Sequence, residues 1–318
     1  MTMRYKNPVY DRSFADPFVW RHEGIYYAVG TGPRGGSEPS RFPLLRSNDL
    51  INWESPGHAL IAVSPDLGND YWAPEVAYSD GRFYLYYSVG HGDKGHHVRV
   101  AVSEKPEGPY EDTGTPVIDP ATCPFSIDAS PFRDDDGQWY LFYARDFLDT
   151  ENGFRAGTGL AVDRLIDMTK LAGEERVVMR ARHDWQLFKA DRPMYDGVYD
   201  WHTLEGPQVL KHDGRYYCFY SGGCYQNDTY GVDYAVADSV MGPYADDSDG
   251  TGARVLRSVP GKVIGPGHNS FVEGPDGRTI IVYHAWNPGM TARLMCIDPL
   301  VWTPEGPRCS PTWTEHAL

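Results

Sequence analysis

Positive charge is scarce in this sequence. Its 29 Lys and Arg face 44 Asp and Glu, which leaves a formal charge of −15. Such a surface is a poor match for a nucleic-acid backbone or an anionic membrane. Neutral or cationic small molecules suit it better. Cysteine is equally thin: Cys123, Cys218, Cys224, Cys296 and Cys309 are odd in number and widely spread, with no CxxC pair. That argues against both a disulfide framework and a zinc site. No segment approaches the roughly 18 consecutive apolar residues of a membrane helix. The opening MTMRYKNPVYDRSFADPF has no apolar core of a secretory signal. Cytoplasmic residence is therefore expected, or an extracellular one if a signal was removed. Uninterrupted helical stretches are lacking too, because 34 Gly and 25 Pro break them, while 22 Tyr and 9 Trp favour strands.

What is present is a repeat. A short β-rich run, a turn ending in Gly and a second run dense in Tyr and Phe recur five times, over 16–30, 73–90, 130–146, 206–223 and 269–286. Four of the turns read Asp-Gly and the first Glu-Gly, with glycines at Gly24, Gly81, Gly137, Gly214 and Gly277. Asp-Gly between such runs is a strong hairpin signal, here suggesting two-residue turns. Third and fourth runs follow each hairpin. Four strands repeated five times predict an all-β, five-bladed β-propeller, one domain over 1–318. The period is broken most by RHDWQLFKADRPMYDGVYDWHTLEG (182–206), and insertions of this kind map to loops, commonly on the binding face.

In a propeller the first residues of the innermost strands converge on the axis. The repeats place Asp16, Trp72, Asp128, Glu205 and His268 there, with offsets of a residue or two. Alone, each carboxylate reads as a turn residue, a strand cap or a solvated loop charge. Together, at equivalent points of three repeats, they point to chemistry. Converging carboxylates repel, so their ionisation splits, and glycoside hydrolysis needs one ionised and one protonated. Trp72 offers an apolar plane for a sugar ring. For His268, a bound metal and its absence stay equally open. Glu75, Asp134, Asp135 and Asp136 read as solvating charges beside hairpins, and His96 and His97 as loop residues.

These residues resemble glycoside hydrolase family 43. The matching segments are ADPF (15–18), WAPE (72–75), IDASPF (127–132), EGP (205–207) and GPGHNS (265–270), within a resemblance running from about Asn7 to RLMCIDPLVW (293–302). It implies Asp16 as general base, Glu205 as general acid, and Asp128 as the group that raises and orients Glu205. It further implies His268 as the ligand of a structural cation, usually Ca2+, held largely through waters, and Arg293 as a substrate-pocket residue. The invertase-like relatives carry NDPN, RDP and EC motifs, which this chain lacks. The expected activity is exo-hydrolysis of α-L-arabinofuranosides in arabinan- or arabinoxylan-type oligosaccharides. β-Xylosidase action and non-catalytic glycan binding are the alternatives. A narrow aromatic pocket would select a pentose, because a pentose lacks the exocyclic CH2OH of a hexose. Segments 182–204 and 30–47 are expected to set the preference.

Overall fold

A computed structural model describes residues 4–33, 40–313 and 315–317. Strands dominate, and the only helical turns among the described residues are three short 3-10 segments. The first blade is the antiparallel meander Ala15–His22, Ile25–Thr31, Ser40–Ser47 and Glu54–Ile61. The second is Asp70–Ser79, Arg82–His91, Lys94–Ser103 and Glu111–Pro116. Ser126–Arg133, Trp139–Phe147, Gly157–Asp167 and Arg176–Met179 form the third. Gly197–His212, Arg215–Gly222 and Gly231–Ala237 form the fourth, and Ile264–Glu273, Thr279–Trp286 and Arg293–Pro299 the fifth. The first strand of every blade packs against the first strand of the next, and the fifth returns to the first. The fold is a five-bladed β-propeller.

Its core is divided among the seams. Five apolar clusters each lie between neighbouring blades, such as Val29, Leu44 and Phe42 of the first against Val76, Leu85 and Tyr87 of the second. Each fully buried large side chain contributes about 1.5–3 kcal/mol. The N-terminal segment supplies the outer edge of the fifth blade: Val9 N–H donates to Met295 O at 2.9 Å and Phe14 N–H to Arg293 O at 2.8 Å. The N-terminal segment thus completes the last blade and ties the two ends of the ring together.

Three of the five hairpins have the expected two-residue turn. Glu23-Gly24, Asp80-Gly81 and Asp213-Gly214 all have positive φ at both positions, the geometry that suits the strand twist. At Gly137 and Gly277 the turns are wider, spanning Arg133 to Trp139 and Glu273 to Thr279.

The 182–206 insertion is not an irregular loop. It forms a 3-10 turn, Asp184–Gln186, and then a hairpin of Leu187–Met194 with the start of the fourth blade's long inner strand. Arg192 fastens it to the second blade through Asp93 at 2.8 Å, and Tyr195 to the third through Asp146 at 2.7 Å.

Candidate active site

Every inner strand breaks its pairing at an equivalent place, and the fifth breaks once more, between Ile264 and Gly267. The register shifts between Ala15 and Phe18, Trp72 and Glu75, Ile127 and Ser130, Glu205 and Gln208, and Gly267 and Ser270. At each break one residue adopts positive φ: Asp16 (51°), Ala73 (45°), Asp128 (57°), Gly206 (57°) and His268 (49°). Non-glycine residues rarely hold this conformation, and such strain gathers at functional sites. The equivalent ring is therefore Asp16, Ala73, Asp128, Gly206 and His268. Trp72 and Glu205 stand one residue earlier, in the layer of Ala15, Ile127 and Gly267. The expected five residues converge, but on two adjacent layers.

A bulge frees backbone N–H groups, and the neighbouring blade receives them. Ala73 N–H donates to Thr31 Oγ1 at 2.9 Å, His268 N–H to Ser221 Oγ at 2.7 Å, and Asp16 N–H to His284 Nδ1 at 3.1 Å. Thr31, Ser221 and His284 pair with Ala15, Glu205 and Gly267 on the second strands of their own blades. The fifth blade thus places an imidazole where two others use a hydroxyl. His284 was not singled out in the sequence, although its alignment with Thr31 and Ser221 in the repeat carries the signal.

Asp16, Trp72, Asp128, Glu205, His268 and Arg293 all line one cavity of about 990 Å³. Within it the carboxylates are treated differently. Burial works to raise Asp16, but the Arg293 guanidinium, with Nη1 3.0 Å from Oδ1, and then the His268 imidazole outweigh it, so Asp16 lies well below the usual carboxylate range. Burial pushes Glu205 up to about 7, with Asp16's charge adding to it, while the Tyr230 hydroxyl, 2.5 Å from Oε1, works downward. Asp128 rises well above its usual value through burial and the nearby Glu205, although its Oδ2 accepts the Gly206 N–H at 2.9 Å. Glu205 and Asp128 together retain a proton near neutrality, and Asp16 retains none. Burial and Arg293 bring His284 down to about 4, so its ring is neutral.

Three sequence expectations are corrected here. Glu75 is not a solvated hairpin charge but is 5% exposed, two residues past the second bulge. Gln208 Nε2 donates to its Oε1 and, at 3.0 Å, to Ser130 Oγ; burial and then Asp128 hold Glu75 far above its usual pKa. His96 and His97 lie buried on the strand Lys94–Ser103 rather than in a loop. His96 stacks on Trp72 with ring centroids 3.6 Å apart and 19° between planes, so it backs the aromatic wall. Asp134 is tied to Tyr216 at 2.7 Å and Lys211 at 2.9 Å.

The cavity's volume lies at the upper end of the range for small-molecule sites. The segment 30–47 does line it, through Thr31, Gly32, Pro33, Arg41, Phe42 and Pro43, while its residues 34–39 lie outside the described residues. No residue of 182–204 is among the lining; Phe188 instead stacks at 6.0 Å on Tyr225, which is.

Among the described residues, no group of three or more His, Cys, Asp or Glu is arranged to hold a metal ion. His268 Nδ1 lies 3.5 Å from Asp16 Oδ1, and next to His268 the buried Asn269 amide has neither Nδ2 nor Oδ1 hydrogen-bonded. One imidazole and an unpartnered amide fit a cation held mainly through water, not a cage of protein ligands.

The pattern described as glycosyl hydrolases family 43 matches residues 5–307. The chain belongs to glycoside hydrolase family 43. A β-D-galactofuranosidase of Aspergillus niger is 30% identical over 94% of this chain and 83% of its own length. An extracellular exo-α-(1→5)-L-arabinofuranosidase of Streptomyces chartreusis is 28% identical over 88% of this chain and 82% of its own. The crystal structure of a thermostable family-43 glycoside hydrolase superposes with a TM-score of 0.82 at 31% identity, covering 98% of this chain and 97% of that one. The chain is thus a glycoside hydrolase of this family, and its substrate is a carbohydrate. No described helix is long and apolar enough to cross a membrane.

Proposed function

We propose that this family member is an inverting, exo-acting hydrolase that releases terminal L-arabinofuranose from arabinan- or arabinoxylan-type oligosaccharides. The observation that carries the reading is the divergence of two carboxylates in one cavity, Asp16 held low and Glu205 raised to about 7. Such a pair supplies an ionised base and a protonated acid at one pH. Asp16, from the first blade, would take a proton from water as it attacks the anomeric carbon. Glu205, from the fourth, would give its proton to the departing oxygen. Asp128 would orient Glu205 by accepting the Gly206 N–H and would share with Glu205 the proton that the pair retains. Arg293 would keep Asp16 ionised, and Trp72, backed by His96, would present a face to the sugar.

A Ca2+ ion beside His268, held largely through water, is part of the proposal; it would offset the carboxylates on the axis. Cytoplasmic residence is also part of the proposal, on the strength of five free cysteines, and cell fractionation tests it. A second substrate reading, a hexofuranoside such as galactofuranose, is favoured by the cavity volume and by the Aspergillus relative.

The deciding experiment screens p-nitrophenyl α-L-arabinofuranoside, β-D-xyloside and β-D-galactofuranoside, then follows the first-formed sugar by proton NMR. The arabinofuranoside is expected to turn over fastest and to release the β anomer first. Initial release of the α anomer would overturn the roles given to Asp16 and Glu205, and no turnover of any substrate would favour a glycan-binding propeller.

A further inference from the structure

Tyr230 opens the third strand of the fourth blade, just before Gly231, and is buried to 1% exposure. Its hydroxyl lies 2.5 Å from Glu205 Oε1 and is also hydrogen-bonded to Ser221. Ser221 Oγ in turn accepts the His268 N–H at 2.7 Å. Accepting from His268 leaves the Ser221 proton available to the phenol oxygen, and the phenolic O–H donates to Glu205 Oε1. With Oε1 committed as an acceptor, the acid's proton has only Oε2 to occupy. The other face of the phenol matters as well. Its ring stacks on His284 at 5.7 Å and 7°, and His284 receives the Asp16 N–H. Space around the ring is closed, since even a methyl at Gly267 would meet it at 2.2 Å.

We propose that Tyr230 is a positioning residue for hydrolysis: it confines the proton of Glu205 to the oxygen that faces the leaving group, and it stabilises the carboxylate formed when that proton departs. The charge on Glu205 grows in the transition state, so a fixed donor to Oε1 is worth more there than in the ground state. The benefit is greatest for poor leaving groups, which need full proton transfer. The proposal rests on Glu205 being the general acid. Other charged groups around Glu205 are Asp16 of the first blade, Asp128 of the third and Arg293 of the fifth. Tyr230→Phe changes none of them, and it keeps the ring on His284.

The test compares wild type, Tyr230→Phe and Glu205→Gln on an arabino-oligosaccharide and on the p-nitrophenyl glycoside. For Tyr230→Phe, kcat on the oligosaccharide is expected to fall about tenfold, the worth of one charge-assisted hydrogen bond, with KM within about twofold. The aryl glycoside should lose no more than about threefold. Loss of a donor to the carboxylate also moves the alkaline limb of the pH profile upward. Replacing Tyr230 with 3-fluorotyrosine, a stronger donor, moves that limb downward, a pair of opposite shifts that a packing role would not produce. Equal losses on both substrates, or an alkaline limb unmoved in both variants, would overturn the role of Tyr230. If Glu205→Gln itself loses equally on both substrates, the assignment of the acid falls, and this proposal falls with it.

Discussion

The closing seam and the axis both bury carboxylates, and they do so for opposite ends. At the closing seam of the ring, Asp298 is 1% exposed and surrounded by donors. It accepts from Tyr5 and Tyr283 hydroxyls at 2.7 Å, from the Asn7 amide at 3.1 Å, and from Thr312 Oγ1 and N–H at 2.8 and 3.1 Å. These partners come from both ends of the chain and from the fifth blade, so the carboxylate ties the closure together. At the axis, Glu205 has one phenol and Asp128 one backbone N–H, and both face a cavity. Burial costs free energy at both places. At the seam the protein answers it with donors. Burial raises the Asp298 carboxyl too, against their pull, but there every donor is a tie between segments of the fold. Where the answer is left incomplete, the group keeps a proton it can give away.

The largest effect that tests this contrast is on activity. Glu205→Gln is expected to reduce turnover of natural linkages by about 10²–10⁴-fold, the usual worth of general acid catalysis, and to cost much less on an activated aryl glycoside. The same variant should gain stability at alkaline pH. Glu205 is raised from an ordinary 4.5 to about 7. Between those values the folded state holds a proton that the unfolded chain has released, so stability falls as pH rises through that window. By pH 8 the cost is fully present, about 2 kcal/mol after allowance for solvent at the cavity. Melting temperatures of wild type and variant should therefore separate more at pH 8 than at pH 5. A gap that does not widen would mean the acid is not held in a destabilised state.

Asp298→Ala should behave in the opposite way. It removes the acceptor that two phenols, an amide and a threonine hydroxyl share, and breaking such a buried network costs about 3–5 kcal/mol. Unfolding in urea should shift accordingly, while kcat per folded molecule stays at the wild-type value. Lost activity in the folded fraction would show that seam and site are not separable.

How much of this was legible in the sequence follows from where the repeat is regular. Asp-Gly turns and aromatic runs announce the hairpins, and ADPF, IDASPF and EGP announce the three carboxylates, because these depend on local spacing alone. The bulges do not show in that spacing. A one-residue break reverses the in–out alternation beyond it, which is why Glu75 turns inward and Trp72 and Glu205 sit one layer from Asp16. For another reason, His96, read as a loop residue, and Tyr230 do not show their parts in the sequence. They reach the site from third strands or their approaches, across contacts distant in sequence. The excursion is visible in the sequence, but its residues 182–204 brace Tyr225 rather than line the cavity, and only tertiary packing decides that.

The smallest expected effect concerns the axis itself. If Ca2+ sits near His268 in water, it lies in the incompletely answered region, so its removal should loosen that region and leave the seam alone. An ion that binds only the folded state stabilises it by RT ln(1 + [L]/Kd), about 1.4 kcal/mol at ten times Kd. For a chain of this size that is a change of only a few degrees in melting temperature. EDTA should produce that fall, and added Ca2+ should reverse it. Because the ion would offset carboxylate charge rather than supply the nucleophile, activity measured well below the melting temperature should drop modestly and not vanish. His268→Gln should abolish the response to EDTA, and Asp298→Ala should keep it at full size. A wild-type protein whose melting temperature ignores both EDTA and Ca2+, with no calcium found by elemental analysis, would remove the cation from the axis and leave His268 as a neutral partner of Asp16.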